Sequence, residues 1–172
     1  MTEARKKAWA RRGFWGICAS YAAYAAYISR AQFIAWHASE TGRYLVPPYR
    51  TIGYFARYAF TQFWLAYILS FALAMLFFFG AQWLNKWRRG ILFEPEELYF
   101  LAIGIFISGH PAWLFYLCIV FAAYLVALCI ATAAYGVSVR LSFYYFWLPC
   151  AAITIALNAY LYQYAWYANL LI

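Results

Sequence analysis

The chain has 172 residues, of which 69% are hydrophobic, 25% aromatic and only 10% charged, with a formal charge of +8. An ordinary soluble domain carries about 25% charged residues, so these figures exclude a soluble globular domain, a disordered chain, a coiled coil and a disulfide scaffold. All five acids are glutamates, which removes chemistry that needs an aspartate. What remains is an all-α, polytopic helical membrane bundle forming a single membrane domain.

The chain opens on a basic run, Arg5, Lys6, Lys7, Arg11 and Arg12. Such a flank is read by the anionic cytoplasmic or matrix-side leaflet. With apolar residues 13–29 behind it, and small residues near Ala22 to Ala26, it also imitates a cleavable leader; it is read here as a retained anchor. No basic domain follows to present a groove-sized surface, so nucleic acid is not an expected partner.

The first predicted membrane segment covers residues 14–36. Tyr21, Tyr24 and Tyr27 alternate with alanine pairs, and small residues let helices approach closely in lipid. Arg30 sits where it can snorkel to an interface. A spanning helix is the first reading, and an in-plane amphipathic helix is its competitor. Residues 37–57, with His37, Glu40, Arg43, Arg50 and Arg57, read as a connection that Pro47-Pro48 keeps from being helical.

Residues 58–84 contain no charge. At 1.5 Å per residue the run is about 40 Å long, enough to cross a bilayer with tilt. It ends on Asn85-Lys86-Trp87-Arg88-Arg89-Gly90, a basic stop with glycine as terminator. The next predicted helix, 96–109, starts behind Phe93-Glu94-Pro95-Glu96-Glu97, since proline and carboxylates favour a helix start. Its clean apolar part ends before His110-Pro111 after about 18 Å, too short for a ~30 Å hydrocarbon core, so it reads as a short or re-entrant helix. Residues 112–137 are again uncharged and long enough to cross. The last segment, 146–170, carries Pro149, which predicts a kink, and Tyr160, Tyr162, Tyr164, Trp166 and Tyr167 suggest an interfacial belt.

These elements make four to five membrane segments. With the N-terminus inside, the inner loops hold the basic run, then Lys86, Arg88 and Arg89, then Arg140; the outer connection holds Arg43 and Arg50, with Arg57 at its edge. The excess places the N-terminus on the cytoplasmic or matrix side of a bacterial or mitochondrial inner membrane.

Carboxylates near a membrane are costly, so Glu94, Glu96 and Glu97 are the first candidate site, for acid–base work or cation binding. Arg88 and Arg89 are their nearest cations in sequence, and the competing reading is a capped helix start paired with them. Glu96 is followed by Gly104, then by Ser108-Gly109-His110-Pro111 and the long run 112–137. Leu141-Ser142-Phe143-Tyr144-Tyr145-Phe146-Trp147-Leu148-Pro149 then opens a last helix. In this order of features residues 87–161 resemble the C-terminal part of the type IV prepilin peptidases, the GxGD intramembrane aspartyl proteases. That family opens the corresponding helix with Gly-x-Gly-Asp, and a second aspartate on an earlier helix shares a proton with the first to activate water. Here Phe93-Glu94-Pro95-Glu96 stands at the motif, no acid lies between Thr41 and Phe93, and both aspartates are absent. The resemblance implies a divergent or degenerate peptidase-like membrane protein in which Glu96 would be the residue to act.

His37 and His110 both fall at outer helix ends, where they could meet as haem or metal ligands in a small redox subunit. Thr61, Gln62, Ser70, Gln82, Thr132, Thr154 and Asn158 are scattered through the spans and uncharged, which reads as interhelical hydrogen bonding rather than an ion path. Cys18, Cys118, Cys129 and Cys150 form no C-x-x-C motif and read as buried free thiols. Aromatic clusters such as Phe77-Phe78-Phe79 suit packing on lipid or on other subunits, with pigment or quinone stacking open beside it. No metal or cofactor is predicted. The expected role is a non-catalytic integral membrane subunit, in contact with lipid and with other membrane subunits of a larger complex.

Overall fold

The computed structural model describes residues 3–89, 92–135, 141–164 and 167. Gly90, Arg140 and Trp166, read above as a helix stop, an inner-face cation and an interfacial aromatic, lie outside them. Among the described residues the regular structure is helical throughout: α1 (Glu3–Ala38), a 3-10 turn (Gly42–Leu45), α2 (Ile52–Ala59), a π turn (Phe60–Trp64), α3 (Leu65–Trp87), α4 (Glu97–Ser108), α5 (Trp113–Tyr135) and α6 (Tyr144–Leu161). Among the described residues three helices are long and apolar enough to cross a membrane, Ile52–Trp87, Trp113–Ala134 and Tyr144–Leu161, fewer than the four to five segments expected, because α1 is not apolar enough and α4 is too short.

The first of these begins six residues before the run 58–84, so the connection is shorter than the sequence suggested. The reason is amphipathy. Past Pro48 the chain is free to coil, and Phe55 and Ala59 are buried on one face while Arg57 stays exposed. That face packs on Val46, Phe33 and Trp36. At the other end, Arg89 adopts the left-handed turn (φ 56°) that ends α3, in place of the glycine expected there.

Helix α1 extends N-terminally past its apolar segment to Glu3, through the basic run, because Lys and Arg are good helix formers with exposed heads. It lies antiparallel to the helix Ile52–Trp87. Ring pairs mark the register: Phe14 on Phe71 (6.2 Å), Tyr21 on Tyr67 (5.2 Å) and Trp36 on Tyr58 (4.6 Å). The Trp64 indole N–H adds a 3.2 Å hydrogen bond to Ser29 Oγ.

The short helix α4 is the centre of the molecule. Leu98, Leu101, Ala102, Ile103, Gly104, Ile105, Phe106 and Ser108 are all buried, the pattern of a helix surrounded on every side. Tyr99 and Phe106 meet Phe78 and Phe71 of α3, Phe106 meets Tyr21 of α1, and Phe100 meets Tyr144 of α6. Gly104 receives Tyr116 of α5 so closely that a Cβ there would lie 2.0 Å from the phenol oxygen. These pairings define an up-and-down array, with α1, α4 and α6 running one way and α3 and α5 the other. Gly109 turns α4 into α5 with φ 73°, a conformation open to glycine.

Candidate functional site

The three glutamates have three different environments. Upstream of them, the Asn85 side chain clips residues 92–93 to the last turns of α3. Its oxygen accepts the Leu92 and Phe93 N–H groups, both at 3.1 Å, and its amide donates to the Phe93 carbonyl at 2.9 Å. Glu94 is exposed. Glu97 is 2% exposed and fully engaged. One oxygen accepts the Glu94 N–H (3.0 Å), the reciprocal half of a capping box. The other accepts Ser142 Oγ–H (2.6 Å) and the Tyr144 N–H (2.8 Å), which caps the first turn of α6. Glu97 is therefore a carboxylate clamp that joins the starts of two helices.

Glu96 is also buried. Its cation is Lys6, at 3.8 Å, rather than the neighbouring arginines. Arg88 instead stacks over Trp87, 5.0 Å from the ring centroid, and among the described residues neither Arg88 nor Arg89 pairs with an acid. The expected Arg–Glu cluster is replaced by a long-range pair because α1 runs parallel to α4 and brings its basic end to the glutamates. A cavity of about 330 Å³ beside Glu96 is lined by Lys6, Trp9, Ala10, Gly13, Phe100 and others, with no second carboxylate.

The polar residues of the spans are not used as the sequence suggested. Thr61, Ser70, Thr132 and Thr154 each donate to a carbonyl four residues back in their own helix, the local solution open to a hydroxyl in apolar surroundings. Three of the seven polar span residues come together. Gln62, Ser70 and Asn158 line one cavity of about 270 Å³ together with Tyr67, Ser108 and His110. The sequence singled out His110 and several of these residues separately; only the antiparallel array brings them together. The π turn supplies Gln62 and Phe63, and π turns recur at functional sites. Ser108 Oγ and His110 Nδ1 are buried there with no hydrogen-bond partner among the described residues.

The two histidines do not form one site. His110 is level with Ala25 and Ile28 of α1, because α4 is short. His37 stands about 14–18 Å further along α1, exposed, with its ring edge-on to Phe33 (4.7 Å). Among the described residues no three His, Cys, Asp or Glu side chains gather as a metal site. The thiols are all free, and Cys118 and Cys129 are exposed rather than buried, on the outward face of α5.

A scan against protein-family models gives no match, and searches of the curated proteins and of the solved structures give none.

Proposed function

We propose that the chain is a non-catalytic, multi-pass subunit of a larger inner-membrane assembly, with its N-terminus on the cytoplasmic or matrix side. The observation that carries this reading is a mismatch at one end of the bundle. Tyr124 stacks on Phe143 at 3.9 Å, which sets it level with the glutamates. Helix α5 runs on from there for about 15 Å. Leu125, Val126 and Ile130 are 58%, 59% and 64% exposed on that stretch. At the same end α1 carries exposed Lys6 and Lys7, and α3 ends on exposed Lys86 and Arg88. A flat bilayer cannot place its hydrocarbon around the first group and its headgroups around the second, whereas a partner protein can cover the apolar turns. Burial points the same way: in their most apolar stretches the helices Ile52–Trp87 and Trp113–Ala134 are each only 11% buried within the chain.

In this reading residues 14–36 cross the membrane beside the helix Ile52–Trp87, and α4 is a fifth, short segment enclosed by the others. The antiparallel register between α1 and that helix supports a crossing over an in-plane helix, which would meet it at a steep angle.

The experiment is the double variant Leu125→Ser/Ile130→Ser. These side chains are 58% and 64% exposed, so the unfolding temperature in detergent should stay within about 2 °C of the parent. Co-purification of companion subunits from the native membrane should be lost. Companions retained by a folded variant would remove the proposed docking surface.

The peptidase-like alternative draws on the burial of Glu96 beside a cavity. Cleavage of a prepilin by the purified protein, abolished by Glu96→Gln, would establish it in place of the subunit reading. A haem or pigment band in the absorption spectrum would do the same for a redox subunit.

A further inference from the structure

The cavity around His110 has a chemistry that the subunit reading does not use. It lies halfway along the helix Ile52–Trp87, which contributes Gln62, Tyr67 and Ser70. Its lining mixes polar and apolar side chains and includes no Lys, Arg, Asp or Glu. Asn158 accepts the Tyr167 hydroxyl at its carboxamide oxygen, which leaves its NH2 group as the donor. Ser70 spends its proton on Ala66 at 2.8 Å and keeps lone pairs. Ser108 is 3% exposed, and its hydroxyl has no partner among the described residues. A buried hydroxyl left this way costs stability, and a ligand oxygen would offset that cost. A cation would find no carboxylate here, and an anion would find no fixed positive charge. The hydrogen-bonding inventory fits an uncharged head that carries acceptor oxygens.

A second cavity shows where the rest of such a molecule would lie. An apolar groove of about 200 Å³ between α1 and α3 shares Ala25 and Tyr67 with the polar cavity. Its other walls include Cys18, Trp64, Ile68 and Phe106. Polar chamber and apolar groove thus meet at common residues.

We propose that the two cavities form one site for an uncharged membrane amphiphile, with a carbonyl-bearing head, as in a prenylated quinone, at Ser108, His110 and Asn158 and its chain in the groove. A glycerolipid offers the same carbonyl chemistry. The site is independent of the docking surface on α5.

Trp64 lines the groove, so a benzoquinone with a decyl tail reports its own binding by quenching tryptophan fluorescence in the detergent-solubilised protein. The expected result is saturable quenching, much reduced in Trp64→Phe. Ser108→Ala should raise the dissociation constant about five- to tenfold. The same variant should leave the unfolding temperature unchanged or higher, because it removes an unpartnered buried hydroxyl; this separates lost binding from lost folding. Competition by dioctanoylglycerol would assign the site to glycerolipid carbonyls, and its failure to compete would assign the site to quinones. Quenching that rises linearly without saturation, equal in the parent and in Trp64→Phe, with no displacement by dioctanoylglycerol, would overturn the proposal and leave the cavity to water.

Discussion

Glu97→Ala should lower the unfolding temperature of the detergent-solubilised protein by about 10 °C, the largest effect expected of any single side chain here. The variant strands the Ser142 hydroxyl and the Glu94 N–H, and it leaves the Tyr144 N–H only its longer 3.2 Å bond to Ser142 Oγ. Hydrogen bonds to a charged acceptor contribute about 1.5–3 kcal/mol each and do not add fully, which gives roughly 3–5 kcal/mol for the set. Glu97→Gln keeps one acceptor oxygen and should cost about half as much. Glu94→Gln, at an exposed side chain, should change the unfolding temperature by no more than about 2 °C. Thermal unfolding followed by circular dichroism reads all three. If Glu97→Ala and Glu94→Gln behave alike, the clamp is not what joins the starts of α4 and α6.

Gly104→Ala should be the next most damaging change. The added Cβ would lie 2.0 Å from the Tyr116 oxygen and 2.2 Å from its ring carbon Cζ. Both helices are enclosed at this contact, so α5 has to shift, at a cost of about 2–3 kcal/mol. Tyr116→Phe does not relieve the clash with the ring, but it removes a buried hydroxyl that has no partner among the described residues. Alone it should be neutral or stabilising. Tyr116→Leu takes away the far edge of the ring, so Gly104→Ala combined with Tyr116→Leu should lose at least about 1 kcal/mol less than the sum of the two single changes. Strict additivity in this double-mutant cycle would show that α4 and α5 are not held apart by that glycine.

The long helices are legible because their apolar runs are uninterrupted, as at residues 58–84 and 112–137. The short helix is legible too, from Pro95, the adjacent acids and His110-Pro111. Its central position was not. An apolar run of that length reads the same whether lipid or other helices surround it, and only the contacts of Phe106, Gly104 and Tyr99 decide which. The glutamate environments escaped for a related reason. Sequence proximity favoured Arg88 and Arg89, but partner choice follows helix direction, which carries Lys6 to Glu96 and Ser142 to Glu97. Asn85 gave no motif at all, since its three bonds are to backbone groups. The polar cavity is the clearest case. Gln62, Ser108 and Asn158 sit on separate helices and have no common spacing. Their assembly depends on α4 ending about two-thirds of the way along α1, with the turn through Gly109 and His110 placed at that level.

The measurement that bears most directly on the subunit reading is the mass of the particle that carries the native chain after extraction in mild detergent. The expected result is a particle far above the 20.0 kDa of the chain itself, with fixed companions at constant stoichiometry. A lone chain or a small homo-oligomer, folded and without companions, would contradict it.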